Sequence, residues 1–253
     1  MTDLRPRAVL AERGLTDSPN SPRVGLARGT LVMLRHGRTS WNDESRFTGW
    51  ADPALSDRGA AEALRAGDAI AAVGLNVSVV ITSPATRALE TATIAMFRDE
   101  GPRVEWQIDW RLNERHFGLL QGLDRDSAIQ RYGRASVRRW KRERDAVPPA
   151  IPEDDVRHPR HDVRYAGVAP ELLPGAESIA DQERRVHACW TEAIAPRLER
   201  GEDVLVVGHC HSLRALARLV DALHARETSS LFESTGSALM SSDAGGLVDL
   251  WTN

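Results

Sequence analysis

Residues 30–34, Thr30-Leu31-Val32-Met33-Leu34, form a short apolar run, and Arg35-His36-Gly37 follows it at once. A run of this length that stops at polar residues reads as a buried strand ending in a loop. Val77–Thr82 and Asp203–Gly208 repeat the pattern, and His209 stands at the end of the latter. Residues 104–108 supply a further strand candidate. Helix signals lie between these runs. Ser56 is placed to cap a helix whose Ala60, Ala63, Leu64, Ala71 and Val73 read as one apolar face. Ser83-Pro84 opens the next helix, with proline tolerated in its first turn. Residues 124–144, strongly charged, then 176–200 and 212–223, also read as helical, and 238–240 and 247–251 suggest edge strands. Alternating strands and helices predict an α/β fold: a three-layer sandwich with a mostly parallel sheet and helices on both faces. Ligands of such sheets bind beyond the carboxyl ends of the strands. Arg35-His36 and His209 are therefore expected to meet in one cleft.

The remaining organisation follows from composition. With 253 residues and 42% hydrophobic content, the chain can bury a full core. We divide it into a mobile N-terminal tail, 1–28, and a single domain, 29–253. The tail mixes Arg5, Arg7, Arg13, Arg23 and Arg28 with Asp3, Glu12 and Asp17, and lacks the apolar stretch of a secretory signal. From 147 to 174 proline recurs, at 148, 149, 152, 159, 170 and 174, which excludes one regular element. With the charged helix before it, this stretch forms a lid or insertion at about 124–175. A net charge of -3 argues against a nucleic-acid binder, and no apolar run approaches a membrane span. Cys189 and Cys210 form neither a metal-type pair nor a disulfide framework, so a reducing compartment, the cytoplasm, is expected.

The chemistry begins at Arg35-His36-Gly37-Arg38-Thr39. A neutral imidazole is a nucleophile near neutral pH, and a guanidinium fork suits phosphate oxygens. Gly37 lets backbone come close to a ligand. An Arg-His-Gly triplet alone is weak, since a surface loop carries such a triplet by chance. The sequence continues as Trp41-Asn42-Asp43-Glu44-Ser45-Arg46-Phe47-Thr48-Gly49-Trp50. Later come Thr82-Ser83-Pro84-Ala85-Thr86-Arg87-Ala88, Leu112-Asn113-Glu114-Arg115-His116-Phe117-Gly118, Leu119-Leu-Gln-Gly-Leu123, His161-Asp-Val-Arg-Tyr165 and Gly208-His209-Cys210-His211-Ser212-Leu213-Arg214.

In these motifs, long and in order, the chain resembles the cofactor-dependent phosphoglycerate mutases of the histidine phosphatase superfamily, from about Thr30 to near the C-terminus. The resemblance implies that His36 becomes phosphohistidine, with Arg35, Arg87 and His209 around the transferring group and Glu114 as general acid and base. It implies ligand contacts at Thr39, Ser40, Asn42, Thr48, Gly49, Arg115, His116, Phe117 and Arg125, and at Lys141 and Arg142. His116 taken alone reads as a structural or surface histidine, as do His158, His161, His187 and His224. Arg131, Arg134, Arg138, Arg139 and Arg144 read as a solvated face, Cys189 as core, and the tryptophans as packing, with Trp41 and Trp50 flanking the site.

Some positions depart from the family pattern. Arg38 stands where the family usually has Glu, Asp43 and Arg125 where it has Lys, and Cys210-His211 where it has Gly-Asn. Arg38, Cys210 and His211 thus enter the substrate-binding set in altered form. The resemblance implies interconversion of 3-phosphoglycerate and 2-phosphoglycerate, primed by 2,3-bisphosphoglycerate, on a small phosphorylated carboxylic acid, without a metal, in a homo-oligomer (dimer or tetramer). The departures favour an alternative: a phosphatase or specialised phosphotransferase on another small phosphorylated metabolite. A binding or regulatory module without catalysis is disfavoured, because His36, Glu114 and His209 are all present.

Overall fold

The computed structural model describes residues 29–96, 104–220, 231–241 and 247–249. The expected tail 1–28, His224, Trp251 and the expected last residues of the 212–223 helix lie outside the described residues. In chain order the elements are β1 (Leu31–Arg35), α1 (Ser40–Asp43), α2 (Asp57–Ala72), β2 (Val77–Thr82), α3 (Thr86–Met96), β3 (Glu105–Ile108), α4 (Arg125–Tyr132) and α5 (Arg134–Arg142). Then follow α6 (Ile179–Cys189), α7 (Ala195–Glu199), β4 (Asp203–Gly208), α8 (Cys210–Val220), β5 (Ala238–Ser241) and β6 (Leu247–Asp249).

The strands form one sheet in the order β3-β2-β4-β1-β5-β6. β1, β2, β3 and β4 run parallel, while β5 and β6 are antiparallel additions. β5 pairs with β1 on one side and β6 on the other, so it is an interior strand rather than the expected edge.

Period-two geometry sorts the strand side chains between two cores. Leu31, Met33, Val79, Ile81, Val204 and Val206 face α6, α7 and α8. Val32, Leu34, Val80, Leu205 and Val207 face α2 and α3. A register shift between Val77 and Val79 puts Val77 on the same face as Val80. With helices on both faces, β1, β2 and β4 have no solvent side, which is why their sequences read as apolar runs, whereas the outer strand β3 is largely exposed.

Several elements differ from expectation. Ser56 does cap α2, accepting from the Gly59 amide. The buried face of α2, however, is Gly59, Glu62, Ala63, Ala66, Gly67 and Ile70, and Leu64 is 57% exposed. Small residues win that face because α2 packs closely against α3 and the loop after β1. Pro84 precedes α3, which begins at Thr86. The charged helix expected over 124–144 is two helices broken at Gly133, whose φ of 82° no helix accommodates. The helix expected over 176–200 contains a wider, π-type turn at Trp190–Ile194.

The proline-rich stretch folds into single turns, Pro159–His161, Val163–Tyr165 and Pro170–Leu172. It and the helices before it are anchored by two small apolar clusters. Phe47, Phe117, Leu120, Ala128 and Val137 make one; Trp50, Tyr165 and Leu173 make the other. Both therefore tie segment 124–175 to the loops that carry the motifs.

Candidate active site

Three parallel strand ends place the central residues. Arg35 lies opposite Gly208 in the β1–β4 pairing, and the His36 amide donates to Gly208 O (3.0 Å). The Ser83 amide, just past β2, donates to Val207 O (3.2 Å). His36, Ser83 and His209 are thereby gathered at one sheet edge, and the His36 and His209 ring centres lie 5.0 Å apart.

The hydrogen-bond partners fix both rings. His36 Nδ1 is 2.7 Å from Gly37 O. A carbonyl only accepts, so Nδ1 carries the proton and Nε2 keeps its lone pair. Burial, then the charges of Arg87 and Arg35, hold the His36 pKa well below the usual histidine value, which keeps the ring neutral. His209 Nε2 is 3.0 Å from Ser83 Oγ. Ser83 Oγ donates to Asn113 Oδ1 (2.7 Å), and Asn113 Nδ2 donates to Tyr165 OH (2.9 Å). Ser83 thus accepts from His209, so the ring is protonated at Nε2. Burial and the neighbouring Arg87 also push His209 well down.

Arg87 is 1% exposed and pinned by loop carbonyls: Nη1 donates to Ala51 O and Nη2 to Gly49 O, both at 2.9 Å. Burial lowers its pKa to about 10, so it stays cationic at neutral pH. Gly49 presents that carbonyl from a φ of +53°, and a Cβ there would meet the Gln121 carboxamide. Arg35 Nη1 donates to Phe232 O (2.7 Å) and also to Glu233 O. Among the described residues, Nε of Arg35, Nε of Arg87, Nε and Nη2 of Arg115 and Nδ1 of His209 are buried without a hydrogen-bond partner. An unmade buried hydrogen bond costs about 1–3 kcal/mol. Orphaned nitrogens around a neutral imidazole make a site that fits an oxyanion, the observation on which a phosphoryl-carrying ligand rests.

The Glu114 side is held by a buried ion pair that sequence reading missed. Arg185 on α6 donates to both oxygens of Glu177 (2.6 and 2.8 Å) and to the carbonyls of Arg111, Asn113 and Glu114 (2.7–2.9 Å). Glu177 also accepts the His116 amide (2.8 Å), and Trp50 Nε1 donates to Glu114 O (2.7 Å). No local pattern marks Arg185, because its partners lie up to 74 positions away. Glu114 Oε1 accepts from the Arg115 amide (2.8 Å) and lies 2.9 Å from His211 Nδ1. Burial raises the Glu114 pKa, yet His211 and the other donors outweigh it and hold the carboxyl well below its usual range.

The other sequence-predicted positions divide. Arg115 stacks on Phe117 (4.7 Å) and donates to Trp140 O. Lys141 Nζ lies over the Phe47 ring (5.9 Å), its pKa lowered by burial and by Arg125, Arg115 and Arg142. Among the described residues none of these four cations makes an ion pair, although Glu114 and Glu177 lie close enough to act on Arg115. Phe117 meets the His211 ring edge-on at 5.7 Å. Cys210 opens α8, and burial raises its thiol pKa. Thr39 and Asn42 bond each other in a capping box on α1, so the Thr39 hydroxyl and Asn42 Oδ1 are engaged there; Ser40 is exposed. Thr48 is half-buried between the two phenylalanine and tryptophan anchors, Phe47 and Trp50. Gly37 brings backbone close, but the close neighbour is Gly59 of α2, not a ligand.

Two placements bear on the sequence reading. His116 is fully buried against Trp50, and burial pulls its pKa down to about 3, so the ring is neutral and packed in the wall of the site. Arg38 and Asp43 pair with each other through Nε and Oδ1, so the two departures form a mutual charge swap and Arg38 adds no unpaired charge.

Together these features define an α/β protein with two buried histidines and a cationic, oxyanion-fitting cradle at its strand ends. The chain belongs to the histidine phosphatase superfamily (branch 1), whose family model matches residues 31–240. It is 46% identical over 206 residues to a 2,3-bisphosphoglycerate-dependent phosphoglycerate mutase of Nitratidesulfovibrio vulgaris strain Hildenborough, covering 81% of this chain and 82% of that one. The counterpart in strain Miyazaki F is 43% identical over 211 residues, covering 83% and 85%. Among solved structures, Bacillus stearothermophilus YhfR superposes with a TM-score of 0.62 at 26% identity, covering 87% of this chain and 94% of that one. A mycobacterial glucosyl-3-phosphoglycerate phosphatase shares the fold, with a TM-score of 0.63 at 24% identity and coverage of 88% and 98%.

Proposed function

We propose that this chain interconverts 3-phosphoglycerate and 2-phosphoglycerate through a phosphohistidine at His36, primed by 2,3-bisphosphoglycerate. The observation that carries the reading is the His36 ring, neutral and with Nε2 unprotonated, beside buried guanidinium and imidazole nitrogens that lack partners. His36 Nε2 attacks phosphorus as the bond to the donor oxygen breaks. Arg35 and Arg87 keep their charge on the equatorial oxygens, where charge resides in a loose transfer. Glu114 gives a proton to the departing oxygen and takes one from the hydroxyl that receives the phosphoryl group in the return step. The nearness of a phosphoryl group's charge raises the His209 pKa and turns Nδ1 into a donor.

Arg115, Arg125, Lys141 and Arg142, cations that make no ion pair among the described residues, are assigned to the substrate carboxylate and to the cofactor's second phosphate. Segment 124–175 acts as the lid that keeps water from phosphohistidine. The working setting is the cytoplasm, the working form a dimer or tetramer, and the substrate a small phosphorylated carboxylic acid; no helix among the described residues is long and apolar enough to cross a membrane.

The contact between His211 and Glu114 favours a second reading, a phosphatase or specialised phosphotransferase on another small phosphorylated metabolite. A coupled assay on 3-phosphoglycerate, with and without 2,3-bisphosphoglycerate, separates the two. Cofactor-dependent 2-phosphoglycerate is expected; release of free phosphate in its place supports the second reading.

A further inference from the structure

His211 lies between the catalytic carboxyl proposed above and a separate open space. Its Nδ1 is 2.9 Å from Glu114 Oε1, an ion-pair contact that is not aligned as a straight hydrogen bond. The same ring, 26% exposed, lines a cleft of about 970 Å³ between α5, α6 and α8. His36, Arg87, Glu114 and His209 do not line that cleft. An imidazole has two nitrogens on opposite sides of the ring, so it can accept a proton at one and release it at the other.

We propose that His211 is the proton partner of Glu114, carrying protons between that buried carboxyl and water in the cleft. The proposal rests on Glu114 being the general acid and base. When phosphoryl leaves the donor for His36, the P–O bond breaks and the P–N bond forms. His211 Nδ1 passes its proton to the ionised Glu114 carboxylate, which hands a proton on to the departing oxygen. The far nitrogen is replenished from water, and every step reverses when the phosphoryl group returns. Glu114 alone is poorly placed to reload, because its environment favours the ionised form and it is buried.

The groups around His211 set its balance. Burial lowers the His211 pKa and outweighs Glu114, which stabilises the imidazolium, while Arg115 from the same loop and Arg214 from α8 lower it further. Across the cleft, α5 presents Lys141 and Arg142, and α6 presents Glu183 and His187. Glu183 is already held by Arg144 and Arg218.

His211→Gln keeps a polar group beside Glu114 but does not titrate. We expect kcat to fall toward the lower end of the about 10²–10⁴-fold supplied by acid–base groups, with KM little changed and His36 still labelled by phosphoryl donor. Free imidazole, small enough for the cleft, should restore kcat in a concentration-dependent way, and His211→Asn should behave the same. Native kcat and pH profile in both variants, or a loss that imidazole does not relieve, overturns the proposal. Glu114→Gln run alongside separates the levels. If it turns over normally, the Glu114 assignment fails; if it is inactive while His211→Gln is native, only the relay fails.

Discussion

His36 and His209 each follow the last residue of a strand, and those strands pair in parallel with Arg35 opposite Gly208. Glu114 and Arg115 instead sit on a loop whose Glu114 carbonyl is held by Arg185, itself paired with Glu177, and by Trp50, and His211 sits in the first turn of a helix against the Glu114 carboxylate. The first region takes its geometry from the sheet, so the ring positions follow from strand register. The second is assembled from side chains brought together over long stretches of sequence, so it can vary residue by residue. The departures from the family pattern at Cys210 and His211 fall in the second region. Those at Arg38 and Asp43 neutralise each other on the surface.

If the Glu114 side depends on its buried bracket, removing that bracket should damage it first. Arg185→Met leaves the Glu177 carboxylate buried without its cation and takes the Arg185 donor from the Arg111 and Asn113 carbonyls, while Glu114 O keeps Trp50 Nε1. We expect a loss of about 3–5 kcal/mol in stability, read from denaturant midpoints. Vanadate binding at the strand ends should survive in the folded fraction. Equal loss of vanadate affinity there would show that the two regions are not separable.

A second, smaller effect concerns protons. In the ligand-free protein the His209 pKa lies well below the ordinary value. An anion raises it, so a pH between the two values should see proton uptake on phosphate binding, fading as pH rises above both. Calorimetry in buffers of different ionisation enthalpy measures this directly, and no buffer dependence would remove His209 as the responsive group. Acid stability carries the same sign for His116. Its folded pKa of about 3 lies below the unfolded value of about 6.5, so the unfolded chain binds more protons in that window. Stability should therefore be complete above about pH 6.5 and fall as pH drops through the window, with a shallower slope in His116→Gln.

The smallest effect is expected at Arg38 and Asp43. The pair is partly exposed, so Arg38→Glu alone should cost about 0–1 kcal/mol, and Arg38→Glu with Asp43→Lys should recover most of it. A large non-recoverable loss of turnover would instead return Arg38 to the substrate.

The two regions also differ in how far the sequence reveals them. Buried strands announce themselves as apolar runs, and the polar residues that end them mark the ends of the parallel strands, so His36 and His209 can be placed together from sequence alone, whereas the part played by Ser83 depends on its contact with His209. The break at Gly133 is not read from the sequence, because the charged helical pattern runs on through 124–144 on both sides of it. The buried face of α2 departs from its apolar pattern because close packing selects Gly59, Ala63 and Gly67 over the larger Leu64. Arg185, Glu177 and the Arg38–Asp43 pairing were not legible, since an ion pair depends on which distant segments the fold brings together.

The central claim is that His36 carries the phosphoryl group between donor and acceptor, and rapid-quench labelling tests it most directly. Protein mixed with 2,3-bisphosphoglycerate bearing labelled phosphate should acquire acid-labile label at His36, absent in His36→Ala. Added 3-phosphoglycerate should then chase the label into 2-phosphoglycerate and bisphosphoglycerate. Label at any other residue, or label leaving only as inorganic phosphate in the presence of acceptor, would contradict the account.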